Sequence, residues 1–219
     1  MELLVYLLIT IFTALIFIIC LNNSNKLYIK KFKIIATIIL CIEIFKFFFT
    51  ASLFEGATTP SSSLTLSFIT IMGILMMIGA FKNNENKATL VINKVLCLLM
   101  FVPVLIGFFS DSNYYLTNDV HAILPGIYFF QSGLIIAYGY YVFKQRKNID
   151  LYDVLRAIFV IGVVLGLTAI INIMYDARYI FSDNLYINLV KISAIIISCY
   201  IVYFGSIIYF RRGEDNVLH

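Results

Sequence analysis

The sequence predicts an all-α integral membrane protein, a bundle of seven transmembrane helices with its N-terminus outside and its C-terminus inside. Three observations carry this. Of the 219 residues, 62% are hydrophobic and only 13% charged, against about 45–50% and about 25% in soluble domains. Apolar runs of membrane-crossing length recur seven times, and basic residues fall in alternate connections between them. With a mean hydropathy of +0.96, the chain lacks the polar surface to cover a water-facing exterior, so lipid must cover it. The net charge of +4 is small and spread over short connections, which excludes nucleic acid as a partner.

The runs cover residues 3–21, 32–54, 64–81, 88–109, 120–143, 154–175 and 185–210. About 20 apolar residues in a helix cross the 30 Å hydrocarbon layer. Runs this long and continuous are helices rather than barrel strands, because backbone groups in lipid must be satisfied within the segment. The first run follows Glu2 rather than a basic segment, and Asn22 and Asn23 follow it rather than a small-x-small site. It therefore reads as a retained span and not a cleaved signal. Pro103 and Pro125 fall inside the fourth and fifth runs and are expected to kink them. No connection is much longer than a dozen residues, so the whole of 1–219 reads as one transmembrane domain.

The connections set the orientation. Counting Lys and Arg alone, including those at the edges of the runs, they carry 4, 0, 2, 0, 3 and 1, and the C-terminal tail carries 2. Odd connections therefore face the cytoplasm. The chain is rich in Ile, Phe, Tyr, Asn and Lys, a usage typical of A+T-rich coding, which points to a bacterial plasma membrane. It has no Trp, so tyrosines such as Tyr114, Tyr140, Tyr175, Tyr186 and Tyr209 must form the interfacial belt. Cys20, Cys41, Cys97 and Cys199 sit in apolar runs without CxxC spacing. Neither a disulfide framework nor a metal site is expected, and no cofactor motif is present.

Charge inside a span costs roughly 2.5–3.5 kcal/mol at the centre, so it needs a partner or a use. Lys94 and Arg156 lie near cytoplasmic ends and can snorkel. Glu43, Lys46 and Lys191 lie too deep for that. Glu43 and Lys46 are three residues apart and share a helical face. Two readings follow. Glu43 pairs with Lys46 or Lys191 to fix helix packing, or the three form the charged wall of an outward-opening cavity. Two lysines against one glutamate leave a positive excess suited to an anionic group. Other polar residues fall at the same level: His121, Tyr128 and Ser132 on one stripe of the fifth run, Gln131 beside it, Thr168 and Asn172 on the sixth. The inner half is almost wholly apolar. Gly162 and Gly166 form a small-xxx-small motif, which permits close approach within the bundle or between protomers. A homodimer or a membrane-complex partner is its expected use.

Three segments resemble the YwaF-like family of seven-span bacterial membrane proteins. Glu43-Ile-Phe-Lys46 is similar to the family's E-x-x-K. The stretch from Asp150 through Leu155-Arg156-Ala157-Ile158-Phe159 to Ile171-Asn172-Ile173 and Arg178-Tyr179-Ile180-Phe181 resembles its sixth span and the segment that closes it. His121 with Phe129-Phe130-Gln131-Ser132-Gly133 resembles the fifth. The resemblance implies a seven-helix fold. It also implies distant kinship with a eukaryotic protein implicated in phospholipid acyl transfer through a membrane-embedded Cys and His. The family's L-P-L-H-x-C segment corresponds here to Thr59-Pro60-Ser61-Ser62-Ser63-Leu64, which has neither His nor Cys.

The expected function is binding of a lipid or anionic small ligand in an outward-facing polar cavity, lined by Glu43, Lys46, His121, Gln131, Asn172 and Lys191. Membrane lipids are the expected partners. The alternatives are a lipid-modifying, acyltransferase-like enzyme with His121 as base, and a transporter or membrane subunit of a larger complex. A thioester route needs a thiol nucleophile, and the missing Cys and His weigh against the enzyme.

Overall fold

A computed structural model describes residues 2–22, 28–53, 68–81, 87–109, 123–145, 149–175 and 185–215. Among these residues the protein is all-helical. In chain order the helices are α1 (Glu2–Asn22), α2 (Tyr28–Leu53), α3 (Phe68–Phe81), α4 (Lys87–Leu98), α5 (Val102–Phe109), α6 (Ile123–Lys144), α7 (Leu151–Tyr175) and α8 (Leu185–Asp215). Two of them contain stretches long and apolar enough to cross a membrane, Leu4–Asn22 and Tyr186–Tyr209.

Each apolar run becomes a helix, with differences at the edges that have local causes. The fourth run is broken into α4 and α5 at residues 99–101. Pro103 has no N–H to give the Leu99 carbonyl, which instead accepts from the Val102 N–H at 3.0 Å, a tighter turn that interrupts the ladder. Pro125 lies in the first turn of α6, where no intrahelical donor is missed. Helix α2 starts before its apolar run and takes Lys30, Lys31 and Lys33 into its first turns. The Lys31 ammonium lies 5.3 Å from the Tyr141 ring centroid and Lys33 lies 5.2 Å from that of Phe81. Their aliphatic stems cover apolar surface and their charges rest on aromatic faces.

Side-chain pairings give the relative directions of α1, α2 and α6. Thr10 meets Phe129 and Tyr141 meets Ile18, so α1 and α6 run parallel. Lys46 meets Gln131 and Phe32 meets Tyr138, so α2 is antiparallel to α6. Gly79 meets Asn93, which turns α4 against α3. The Phe143 and Tyr209 rings bring the ends of α6 and α8 together, 5.1 Å apart at their centroids. Helix α6 is central and packs against α1 to α5, while α7 and α8 pack on α4. One apolar core, including Ile39, Met72, Leu96, Leu134 and Cys199, runs through the bundle.

Close approach of α1 to α6 depends on Gly133. A Cβ there would fall 2.6 Å from the Thr10 carbonyl oxygen and 2.7 Å from Thr13 Cβ. Small residues let helix backbones meet in this way. The Thr10 hydroxyl then donates to the Phe129 carbonyl at 3.0 Å. Gly133→Ala is expected to lower stability by about 1–3 kcal/mol through overpacking against backbone. Gly126→Ala in the same helix, whose Cβ would meet nothing within 4 Å, is the silent control. Thermal unfolding in detergent compares the two, and equal midpoints would refute the close packing.

Candidate functional site

Helix α2 carries Glu43 and Lys46 on one face because three residues span most of a turn. Flanking Ile42, Ile44 and Phe45 keep the segment helical and apolar. The Lys46 ammonium donates to Glu43 Oε1 at 2.7 Å, and the two side chains are 8% and 10% exposed. Gln131 on α6 joins both. Its Nε2 donates to Glu43 Oε1 at 2.8 Å, and its Oε1 accepts from Lys46 at 3.4 Å. Thr70 on α3 donates its hydroxyl to Glu43 Oε2 at 2.8 Å. Three helices therefore converge on one carboxylate. A buried charge is tolerated when it is paired and its lone pairs are filled.

The structure thus assigns Glu43 to Lys46 and brings together three of the six residues singled out from the sequence. Lys191 is 5% exposed and lies on α8, which packs on α4, α5 and α7. Asn172 falls within α7, but its side chain lies outside the described residues, as does His121. Tyr128 and Ser132 follow the expected stripe. Tyr128 donates to the Pro103 carbonyl at 2.7 Å and Ser132 to the Tyr128 carbonyl at 2.9 Å. The first ties α6 to the broken fourth segment, and the second is a bond back onto the preceding turn of α6 itself. Thr70 was not foreseen, since a lone threonine among isoleucines and methionines gives no signal of its own.

At the other end of the bundle, Lys94 and Arg156 depart from simple snorkelling. Both reach Asp153, which is 1% exposed. Lys94 donates to Asp153 Oδ2 at 3.0 Å and Arg156 to Oδ1 at 2.8 Å. Asp153 Oδ2 also accepts the Asp150 backbone N–H at 3.0 Å, a capping interaction at the start of α7. The spacing Asp150-x-x-Asp153 carried that cap signal, and it explains why α7 begins at Leu151.

The same half of the bundle is also less apolar than the sequence suggests. Tyr138 donates to Asn93 Oδ1 at 2.8 Å, and Asn93 Nδ2 donates to the Gly79 carbonyl at 3.3 Å. Gly79 is glycine because a Cβ would run into the Asn93 side-chain oxygen. Between this layer and the Glu43 layer lie Ile39, Met72, Met76, Leu134 and Ile135, all buried.

Gly162 and Gly166 are exposed on α7, and a Cβ at either would meet nothing within 4 Å. Among the described residues they serve no close approach inside this bundle. Cys20 and Cys41 are exposed and Cys97 and Cys199 are buried. No family model, curated protein or solved structure matches the chain.

Proposed function

We propose that the protein is a seven-span integral membrane protein of the bacterial plasma membrane, N-terminus outside, that binds the anionic group of a lipid or small ligand at the Glu43–Lys46–Gln131 layer. The observation that carries this reading is an inverted distribution of polarity. Glu43, Lys46, Gln131 and Thr70 interlock inside the bundle, while Leu4, Phe12, Phe159, Ile201 and Phe204 are more than half exposed on its outside. A water-facing protein would bury the second set and expose the first. Lys46 is the residue that meets the anion. The carboxylate of Glu43 occupies its ammonium in the unliganded state, and an incoming phosphate or carboxylate takes that place by exchange. The outward-facing Gly162 and Gly166 face of α7 is the contact for a second protomer or a partner subunit. The likeness to the YwaF-like family agrees with this architecture.

A second reading has its own observation. Both carboxylate oxygens of Glu43 are satisfied within the protein, as expected of a polar lock that sets helix register. Native mass spectrometry in nanodiscs separates the two. Binding predicts that the wild type retains anionic over zwitterionic phospholipid. It also predicts that Lys46→Gln weakens retention about tenfold, the worth of one charge-assisted hydrogen bond. Equal retention of both lipids by folded wild type and variant leaves only the lock.

A further inference from the structure

We propose that Thr89, Asn93 and Tyr138 hold one buried water molecule, independently of any ligand at the Glu43 layer. Among the described residues, the Thr89 hydroxyl is the buried side-chain polar atom without a hydrogen-bond partner. Thr89 is 0% exposed and Asn93 is 2% exposed. They are one turn apart on α4, so their side chains lie on one face, about 5–6 Å apart at Cβ. A buried hydroxyl with no partner is unfavourable by about 1–3 kcal/mol and calls for an account.

Asn93 supplies the complement. Its amide carries two N–H groups, and its one recorded donation is to the Gly79 carbonyl. Tyr138 uses its hydrogen on Asn93 Oδ1, which leaves its phenol oxygen able to accept. Both side chains crowd the same point, since a Cβ on Gly79 would lie 3.1 Å from the Tyr138 oxygen and would also meet Asn93. A water molecule there accepts from Asn93 Nδ2, donates to Tyr138 Oη and exchanges a hydrogen bond with Thr89 Oγ1. Three partners is the usual number for a buried water. The layer then joins α3, α4 and α6 through one connected network.

Thr89→Val, isosteric and without the hydroxyl, gives opposite signs for the two cases. If Thr89 is an unpartnered hydroxyl in a dry core, valine removes a penalty and Tm rises. If the water is present, valine strips it of a partner and Tm falls by about 2–8 °C, the shift expected for about 1–2 kcal/mol in a chain of this size. An experimental map that resolves ordered solvent decides directly. Density within hydrogen-bonding reach of Thr89 Oγ1 and Asn93 Nδ2 in the wild type supports the site. No density there, or a Thr89 hydroxyl turned onto its own helix carbonyls, overturns it, as does a raised Tm in the variant. Should the variant not fold, the wild-type map still decides.

Discussion

Lys46→Met is expected to lower unfolding free energy by about 3–5 kcal/mol, the cost of leaving one member of a buried ion pair without the other. The Glu43 carboxylate would keep the hydrogen bonds from Gln131 and Thr70 but lose the Lys46 ammonium that lies 2.7 Å from it. Combining Lys46→Met with Glu43→Leu should recover most of the loss. Apolar side chains of similar size often replace a buried pair without net cost. Glu43→Leu alone should resemble Lys46→Met, because it strands the ammonium instead. A double-mutant cycle on denaturant or thermal unfolding in detergent measures the coupling. A coupling below about 1 kcal/mol would equate the pair with a solvent-exposed salt bridge.

Asp153→Ala should come close to that effect by a different route. The side chain neutralises Lys94, takes one bond from Arg156 and caps α7 through the Asp150 N–H. Its loss leaves Lys94, 12% exposed, without the nearer of its two carboxylates, since Asp150 lies at 3.7 Å. It also removes a cap worth about 1 kcal/mol. A total of about 3–5 kcal/mol is expected. Arg156→Gln should change stability by less than about 1 kcal/mol, because that side chain is 53% exposed and such pairs are weak. The same unfolding assay ranks the two, and an equal or reversed order would show that the carboxylate does not organise this end.

Periodicity and charge spacing made much of this bundle readable. Glu43 and Lys46 stand out because two charges a turn apart in an apolar run must be used somehow. Gln131 stands out only as a polar side chain at the same level, and its partnership does not stand out at all. Its separation of 88 residues from Glu43 follows from which helices become neighbours, and no local pattern encodes that. Thr70 and Asn93 were hidden for a related reason. A small polar side chain in a helix is inexpensive anywhere, so its sequence context is silent until a partner is placed beside it. Lys94 and Arg156 lie within the first turns of α4 and α7, and the sequence assigns them to solvent, since the inward turn of Asp153 depends on α7 packing against α4. The break near Pro103 was legible as a disturbance. Whether it bent or divided the helix depended on the Leu99 carbonyl finding the Val102 N–H.

The pairing of α1 with α6 has a consequence for synthesis. Thr10 and its acceptor Phe129 are 119 residues apart. At about 5–20 residues per second, the ribosome needs about 6–24 s to deliver the second after the first. On the proposed membrane reading, α1 waits through that interval with its eventual neighbour unmade. Its 19-residue stretch Leu4–Asn22, with a mean hydropathy of 2.9, suits such a solitary period, because it has no charge to shelter. The residues that later fasten it, Thr10 and Thr13, are mild enough to face hydrocarbon until Gly133 arrives.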